Sequence, residues 1–212
     1  MSDLIKILYD AVLEGDLETA QTTTRRAIEE GISVEAILNQ GLVAAMGEVG
    51  CLFEQGEYYV PEMLISAKTM QACLGLLKPH LASSTVKSPG KVVIGTVHGD
   101  LHDIGKNLVC MMLEGAGFEV KDLGIDVDAE KFIAQMREEK PQIVAFSAML
   151  TTTMPYMKNI VDALQQSGAR ESVKIMVGGA PVTRHFADAI GADGYAADAS
   201  QAVALARQLV AA

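Results

Sequence analysis

The chain of 212 residues is half apolar, carries a formal net charge of −10, and has no tryptophan and only 5% aromatic residues. That charge excludes nucleic acid and anionic membrane as partners, since both are bound through basic patches, and so few aromatic rings cannot build a base-stacking platform. The length allows one large domain or two small ones, and no apolar stretch approaches the roughly 18 residues of a membrane span.

Taken in chain order, the opening Met1-Ser2-Asp3-Leu4-Ile5-Lys6 lacks the basic-then-apolar pattern of a secretion signal. Leu4, Ile5, Leu8, Val12 and Leu13 form one apolar stripe at helical spacing. Asp16 caps a second helix that runs to Gly31, a good stop. Ser33 begins a third, which carries Ile37, Leu38, Leu42, Met46, Val49 and Phe53. Pro61 suits the first turn of a fourth, whose stripe of Met63, Ala67, Met70, Leu74 and Leu77 ends near Pro79. Four amphipathic helices with short connections predict an all-α four-helix bundle over residues 1–85. Cys51, Cys73 and Cys110 are odd in number and contain no Cys-x-x-Cys pair, which suits a reducing, cytoplasmic setting rather than a disulfide framework.

Residues 83–90, Ser-Ser-Thr-Val-Lys-Ser-Pro-Gly, have linker composition, and the boundary between domains is placed at 86–90. From 91 to 212 the rhythm changes. Candidate strands at 92–97, 118–123, 143–147, 174–177 and 194–196 alternate with helical patterns at 104–115, 128–139, 154–166, 182–190 and 198–211. This alternation predicts an α/β, Rossmann-like domain with a five-stranded parallel sheet of flavodoxin-like order. Such sheets bind ligands outside the carboxyl ends of their strands. Asp100 and His102 follow the first strand, Ser147 ends the third with Thr151, Thr152 and Thr153 beyond it, and Gly178-Gly179 follows the fourth.

Residues 95–109 are the most informative, Gly-Thr-Val-His-Gly-Asp-Leu-His-Asp-Ile-Gly-Lys-Asn-Leu-Val. A buried strand gives way to a short turn and then to a helix whose apolar positions are Ile104, Leu108, Met111 and Met112. Side chains two apart in an extended segment point the same way, so the Asp100 carboxylate reaches the His102 ring. An imidazole hydrogen-bonded at one nitrogen keeps one tautomer and offers the other nitrogen to a metal. Gly105 leaves room for something bulky at the helix start. Plainer readings stand beside this one. Asp103 caps the helix; Thr152 or Thr153 caps the helix containing Pro155; His98, Asp100, His102 and Asp103 bind zinc as a compact cluster; or His102 is structural.

The stretch resembles the Asp-x-His-x-x-Gly signature of B12-binding domains that hold cobalamin with its own base displaced and a histidine in its place. The resemblance implies that His102 is the lower cobalt ligand, that Asp100 is its hydrogen-bonded partner, and that Gly105 admits the displaced nucleotide tail. It extends through Asp103, Ile104 and Asn107. Ser147-Ala148-Met149-Leu150-Thr151 looks like the family's Ser-x-Leu-x-Thr run, with Met149 where leucine is usual, and Gly178-Gly179 looks like its Gly-Gly turn. In the family these segments line the tail's slot. Thr153 falls where some relatives place a serine bonded to the motif aspartate, which implies a Thr153–Asp100–His102 proton relay. Residues 58–63 and 77–80 look like the last part of a helical cap over the upper corrin face. There Tyr59, Met63 and Met70 either shield a methyl group or are plain core.

On this resemblance the chain is identified as a member of the corrinoid methyl-carrier proteins, similar to the cobalamin-binding module of cobalamin-dependent methionine synthase. The implied cofactor is cobalamin or a related corrinoid, its cobalt cycling between Co(I) and methyl-Co(III). The implied partners are a substrate:corrinoid methyltransferase, a methyl-corrinoid:folate or thiol methyltransferase, and a reductive activation protein. The chain would then be a corrinoid subunit that does not act alone, with Ser83–Gly90 as the hinge that lets the cap lift. The alternative is a cobalamin-dependent sensor without methyl transfer. A DNA-binding regulator needs a helix-turn-helix, a mutase needs a barrel, and a receiver-like domain needs an acid cluster with a lysine; none of these is legible here.

Overall fold

The computed structural model describes residues 2–81 and 88–211, so part of the expected linker and hinge, residues 82–87, lies outside the described residues. The described chain divides into two compact units. Among the described residues, one comprises 2–81 with 114–117, and the other 88–113 with 118–211.

The first unit is helical. Helices Asp3–Glu14 and Leu17–Glu29 start where short polar side chains accept a first-turn N–H: the Ser2 hydroxyl from Ile5 and the Asp16 carboxylate from Thr19 at 3.1 Å. Between them Gly15 takes φ 74°, a left-handed conformation that ends the first helix at no steric cost. A long helix, Val34–Glu54, starts at a Ser33 cap and widens to π geometry over Ile37–Val43. Gly41 lies in that stretch, where an added Cβ would stand 2.9 Å from the Leu8 side chain, so the missing side chain allows close approach. This helix is long and apolar enough, by length and composition, to cross a membrane, which corrects the expectation that no stretch approaches a span. Small residues such as Gly41, Ala44, Ala45 and Gly47 raise its apolar content without forming a continuous greasy surface. Its Ile37, Leu38, Leu42, Met46 and Val49 are buried as an inward stripe.

The last helix of this unit, Val60–Leu81, continues past the expected stop and holds Pro79 within its final turn. A proline there forfeits one backbone bond near an end that is already fraying. Met63, Ala67, Met70 and Leu77 are buried, while Tyr59 is exposed. Met63 and Met70 are therefore core, as their spacing suggested. The hydroxyls of Tyr58 and Ser66 both donate to the Leu13 carbonyl, at 3.2 and 3.0 Å, and tie this helix to the end of the first.

The second unit is a five-stranded parallel sheet of order β2-β1-β3-β4-β5. The strands are β1 Lys91–Thr96, β2 Glu119–Asp122, β3 Ile143–Ser147, β4 Lys174–Gly178 and β5 Gly194–Ala196. Helices Ile104–Gly115, Ala129–Glu139, Pro155–Gln166, Arg184–Ile190 and Ala199–Ala211 connect and follow them. β1, β3 and β4 are buried along nearly their whole length, as continuous apolar strands covered on both faces must be. Phe132 and Phe146 pack edge to face with centroids 5.0 Å apart. Gly95 permits this, because a Cβ there would stand 2.9 Å from the Phe132 ring.

Candidate functional site

In this strand order the chain adds β2 on one side of β1 and β3 to β5 on the other, so the order of strands reverses between β1 and β3. The crevice beyond the carboxyl ends at such a switch is where open α/β sheets bind ligands. Register places the right residues along that edge. Thr96 at the end of β1 pairs with Ser147 at the end of β3, and Ser147 pairs with Gly178 at the end of β4.

The loop leaving β1 is closed by the Thr96 hydroxyl, which donates to the His102 carbonyl at 3.0 Å. That closure folds Asp100 inward until it is completely buried. One carboxylate oxygen accepts from the His102 backbone N–H at 3.1 Å and from the His102 ring nitrogen Nδ1 at 2.7 Å. The other accepts from the Met149 and Leu150 backbone N–H groups, at 2.7 and 3.3 Å, and from the Thr153 hydroxyl at 2.7 Å. Burial alone would push this carboxyl's pKa up. The Thr153 hydroxyl, the Met149 N–H and the His102 ring and backbone donors together prevail and hold it well below the usual carboxylate range. Asp100 is thus a fixed negative charge that joins the β1 and β3 loops.

With Nδ1–H donated to Asp100, Nε2 of His102 is the lone-pair nitrogen, and no hydrogen bond to it is found among the described residues. The His102 side chain is 54% exposed, unlike a core histidine satisfied by its neighbours. Apolar side chains surround the loop without being buried. Leu101, Met149 and Leu150 are exposed, and so is Ile104, at 79%, one of the residues the resemblance assigned to the cofactor. Gly105 faces open space, since an added Cβ meets nothing within 4 Å.

Other expected residues fall as follows. Thr151 is exposed; Ser147, Gly178 and Gly179 are half-buried at the sheet edge. Gly179 takes φ 125°, and a Cβ on it would stand 1.9 Å from the Ala148 carbonyl oxygen, so only glycine fits between β4 and the β3 loop. The capping roles are corrected. The Asp103 carboxylate accepts from the Asn107 side chain at 3.1 Å, and the helix Pro155–Gln166 starts at Met154 with no side-chain cap; the Thr153 hydroxyl donates to Asp100. Among the described residues no group of three or more His, Cys, Asp or Glu side chains is placed to hold a metal ion, which removes the zinc cluster. Asp100 spends both oxygens on protein donors, and His98 turns to Asp126 instead.

Sequence reasoning missed several participants. The Met149 and Leu150 donors are backbone groups and leave no mark in a residue pattern. Lys106 is buried and paired with Asp122 at the end of β2 and with Asn107 at 2.7 Å, fastening the helix start to the sheet. Its burial is invisible in a run that reads as a polar turn.

Comparison with known proteins agrees with this architecture. A family described as B12 binding domain matches residues 90–204, and a second family of the same description matches residues 4–78. A dimethylamine corrinoid protein of Methanosarcina acetivorans is 40% identical over 209 residues, spanning 98% of this chain and 96% of its own length. A trimethylamine corrinoid protein of Methanosarcina barkeri is 43% identical over 204 residues, with 95% and 94% covered. Among solved structures, the methanol:cobalamin methyltransferase complex of Methanosarcina barkeri superposes with a TM-score of 0.89 at 32% identity, covering 99% of this chain and 80% of that one. A cobalamin-binding protein of Desulfitobacterium hafniense gives 0.82 at 31% identity, with 99% of both chains covered.

Proposed function

The chain belongs to the B12-binding corrinoid proteins, and from that premise we propose that it carries a methyl group on a corrinoid between two methyltransferases. One acts on the methyl donor and the other on a folate or thiol acceptor. The observation that carries this reading is the His102 ring, fixed by a buried carboxylate at Nδ1 and half exposed at a rim of unburied apolar side chains.

The residues present fit the cofactor. Nε2 of His102, with Nδ1 taken by Asp100, would hold the cofactor's metal. Leu101, Ile104, Met149 and Leu150 offer an apolar bed for a wide ring. Gly105 leaves open space for a displaced tail, and Ser147, Thr151, Gly178 and Gly179 lie at or near the strand ends where that tail would run. When bound, the corrinoid's cobalt supplies the methyl-accepting and methyl-donating chemistry.

The chain's own residues supply the rest. Asp100 keeps the His102 ring in one tautomer and orientation. Thr153 and the two backbone donors hold that carboxylate still, so the ring can move only as far as the Asp100 bond allows. The proton on His102 Nδ1 is shared with one Asp100 oxygen, and the Thr153 hydroxyl donates to the other, which makes the three groups a candidate relay. The free thiol of exposed Cys51 and the absence of disulfides among the described residues suit a cytoplasmic location. The division into residues 1–85, 86–90 and 91–212 gives the helical part to the partner-facing and shielding work and the α/β part to the cofactor.

The test is direct. The chain is loaded with corrinoid, reduced, and mixed with a methylamine or methanol methyltransferase and its substrate. It should gain a methyl group, which a thiol or folate methyltransferase then removes. A chain that binds corrinoid yet is never methylated would be a sensor instead.

A further inference from the structure

A second histidine–carboxylate pair stands on the same loop. His98, four residues before His102, gives Nδ1 to the Asp126 carboxylate at 2.7 Å, and its ring meets Tyr156 edge-on with centroids 5.1 Å apart. The same Asp126 oxygen accepts from the Gly99 backbone N–H at 2.7 Å, and the Asp126 backbone N–H donates to the Asp100 carbonyl at 3.1 Å. Asp126 makes these three bonds in a left-handed conformation, φ 52°, which aspartate tolerates better than most residues other than glycine.

The pair itself does not explain its own position. The His98 side chain is 52% exposed, and Nε2 makes no hydrogen bond among the described residues. Folding therefore immobilises a ring whose second nitrogen points to no protein group, on a surface where Leu101, Ile125 and Tyr156 are also exposed. Four residues of chain span at most about 14 Å, so the two histidines sit within the footprint of one large ring ligand.

We infer that His98, held by Asp126, is a second positioning residue of the corrinoid site, its Nε2 accepting a hydrogen bond from an amide N–H on the rim of the macrocycle. The inference rests on the corrinoid reading above. A single bond from His102 to the metal would leave the cofactor free to turn about it. A second contact at the periphery removes that freedom and orients the ring on the loop.

The experiment is a spectrophotometric titration of the apo-protein at pH 8 with two corrinoids that both lack the nucleotide. One is cobinamide, which carries peripheral amides; the other is the heptamethyl ester of cobyrinic acid, which has no N–H to donate. His98→Ala should bind cobinamide about five- to tenfold more weakly than the parent, the worth of one hydrogen bond, and bind the ester as the parent does. His98→Gln, which keeps an acceptor, should recover most of the loss, and Asp126→Asn should fall between. Equal affinities of parent and His98→Ala for cobinamide would overturn the inference, and so would an equal loss for both corrinoids, which marks a merely structural role. A parent that binds neither corrinoid nor cobalamin would overturn the corrinoid reading itself.

Discussion

Asp100 is buried without a cation beside it, and what keeps it ionised is the number of donors aimed at its two oxygens. Replacing Thr153 with Val keeps the shape and removes one of them. We expect a loss of about 1–3 kcal/mol in unfolding stability, measured by urea denaturation. The linkage sign follows from the depressed pKa of Asp100. The unfolded chain takes up this proton at a higher pH than the folded one. The stabilisation is therefore complete above about pH 4, the unfolded value, and is lost as pH falls below it. Between pH 5 and 2 the stability of the Asp100→Asn variant should fall less steeply than that of the parent, and parallel curves would show that the carboxylate is not specially held. These contacts were only partly legible. Spacing two apart foretold the Asp100–His102 bond, but the Met149 and Leu150 N–H donors come from a loop some fifty residues away and carry no side-chain signal.

Among the elements, the helix Ile104–Gly115 violates the usual economy of helices at its first turn, where Ile104 is exposed and Gly105 lends no propensity. That combination predicts opposite effects from one change. Gly105→Ala should leave the apo-protein as stable or up to about 1 kcal/mol more stable, since glycine in a helix costs about that much and the new methyl meets open space. The same variant should bind cobalamin less tightly, by isothermal titration; unchanged affinity would mean that nothing passes there. Gly179→Ala should do the reverse to the fold and destabilise it by more than about 2 kcal/mol, because its Cβ meets the Ala148 carbonyl at a backbone angle closed to alanine. Most elements were readable. The helix at 104–115 matches its expected bounds, and Asp16 and Ser33, read as helix starts, each cap a helix through a side-chain oxygen. What escaped has local causes. Pro79 sits in a last turn that tolerates it, and the π widening at Ile37–Val43 follows from packing around Gly41 that periodicity cannot register.

For the whole molecule, the groups assigned to the cofactor, Asp100, His102, Gly105, Ser147, Thr153 and Gly179 among them, belong to one of the two units, and that unit has its own core around Phe132, Phe146, Val144 and Val177. A fragment of residues 88–212 should therefore fold, judged by far-ultraviolet dichroism, and bind cobalamin with His102 on the metal. A folded fragment that does not bind would assign part of the cofactor site to the helical unit. The most direct measurement of the central claim is electron paramagnetic resonance of the whole protein in the cobalt(II) state, labelled with 15N in its histidines and loaded with unlabelled cobalamin. Each cobalt line should split as a doublet from the labelled imidazole nitrogen, and His102→Ala should lose that splitting. A triplet from the cofactor's own unlabelled base would contradict ligation by His102.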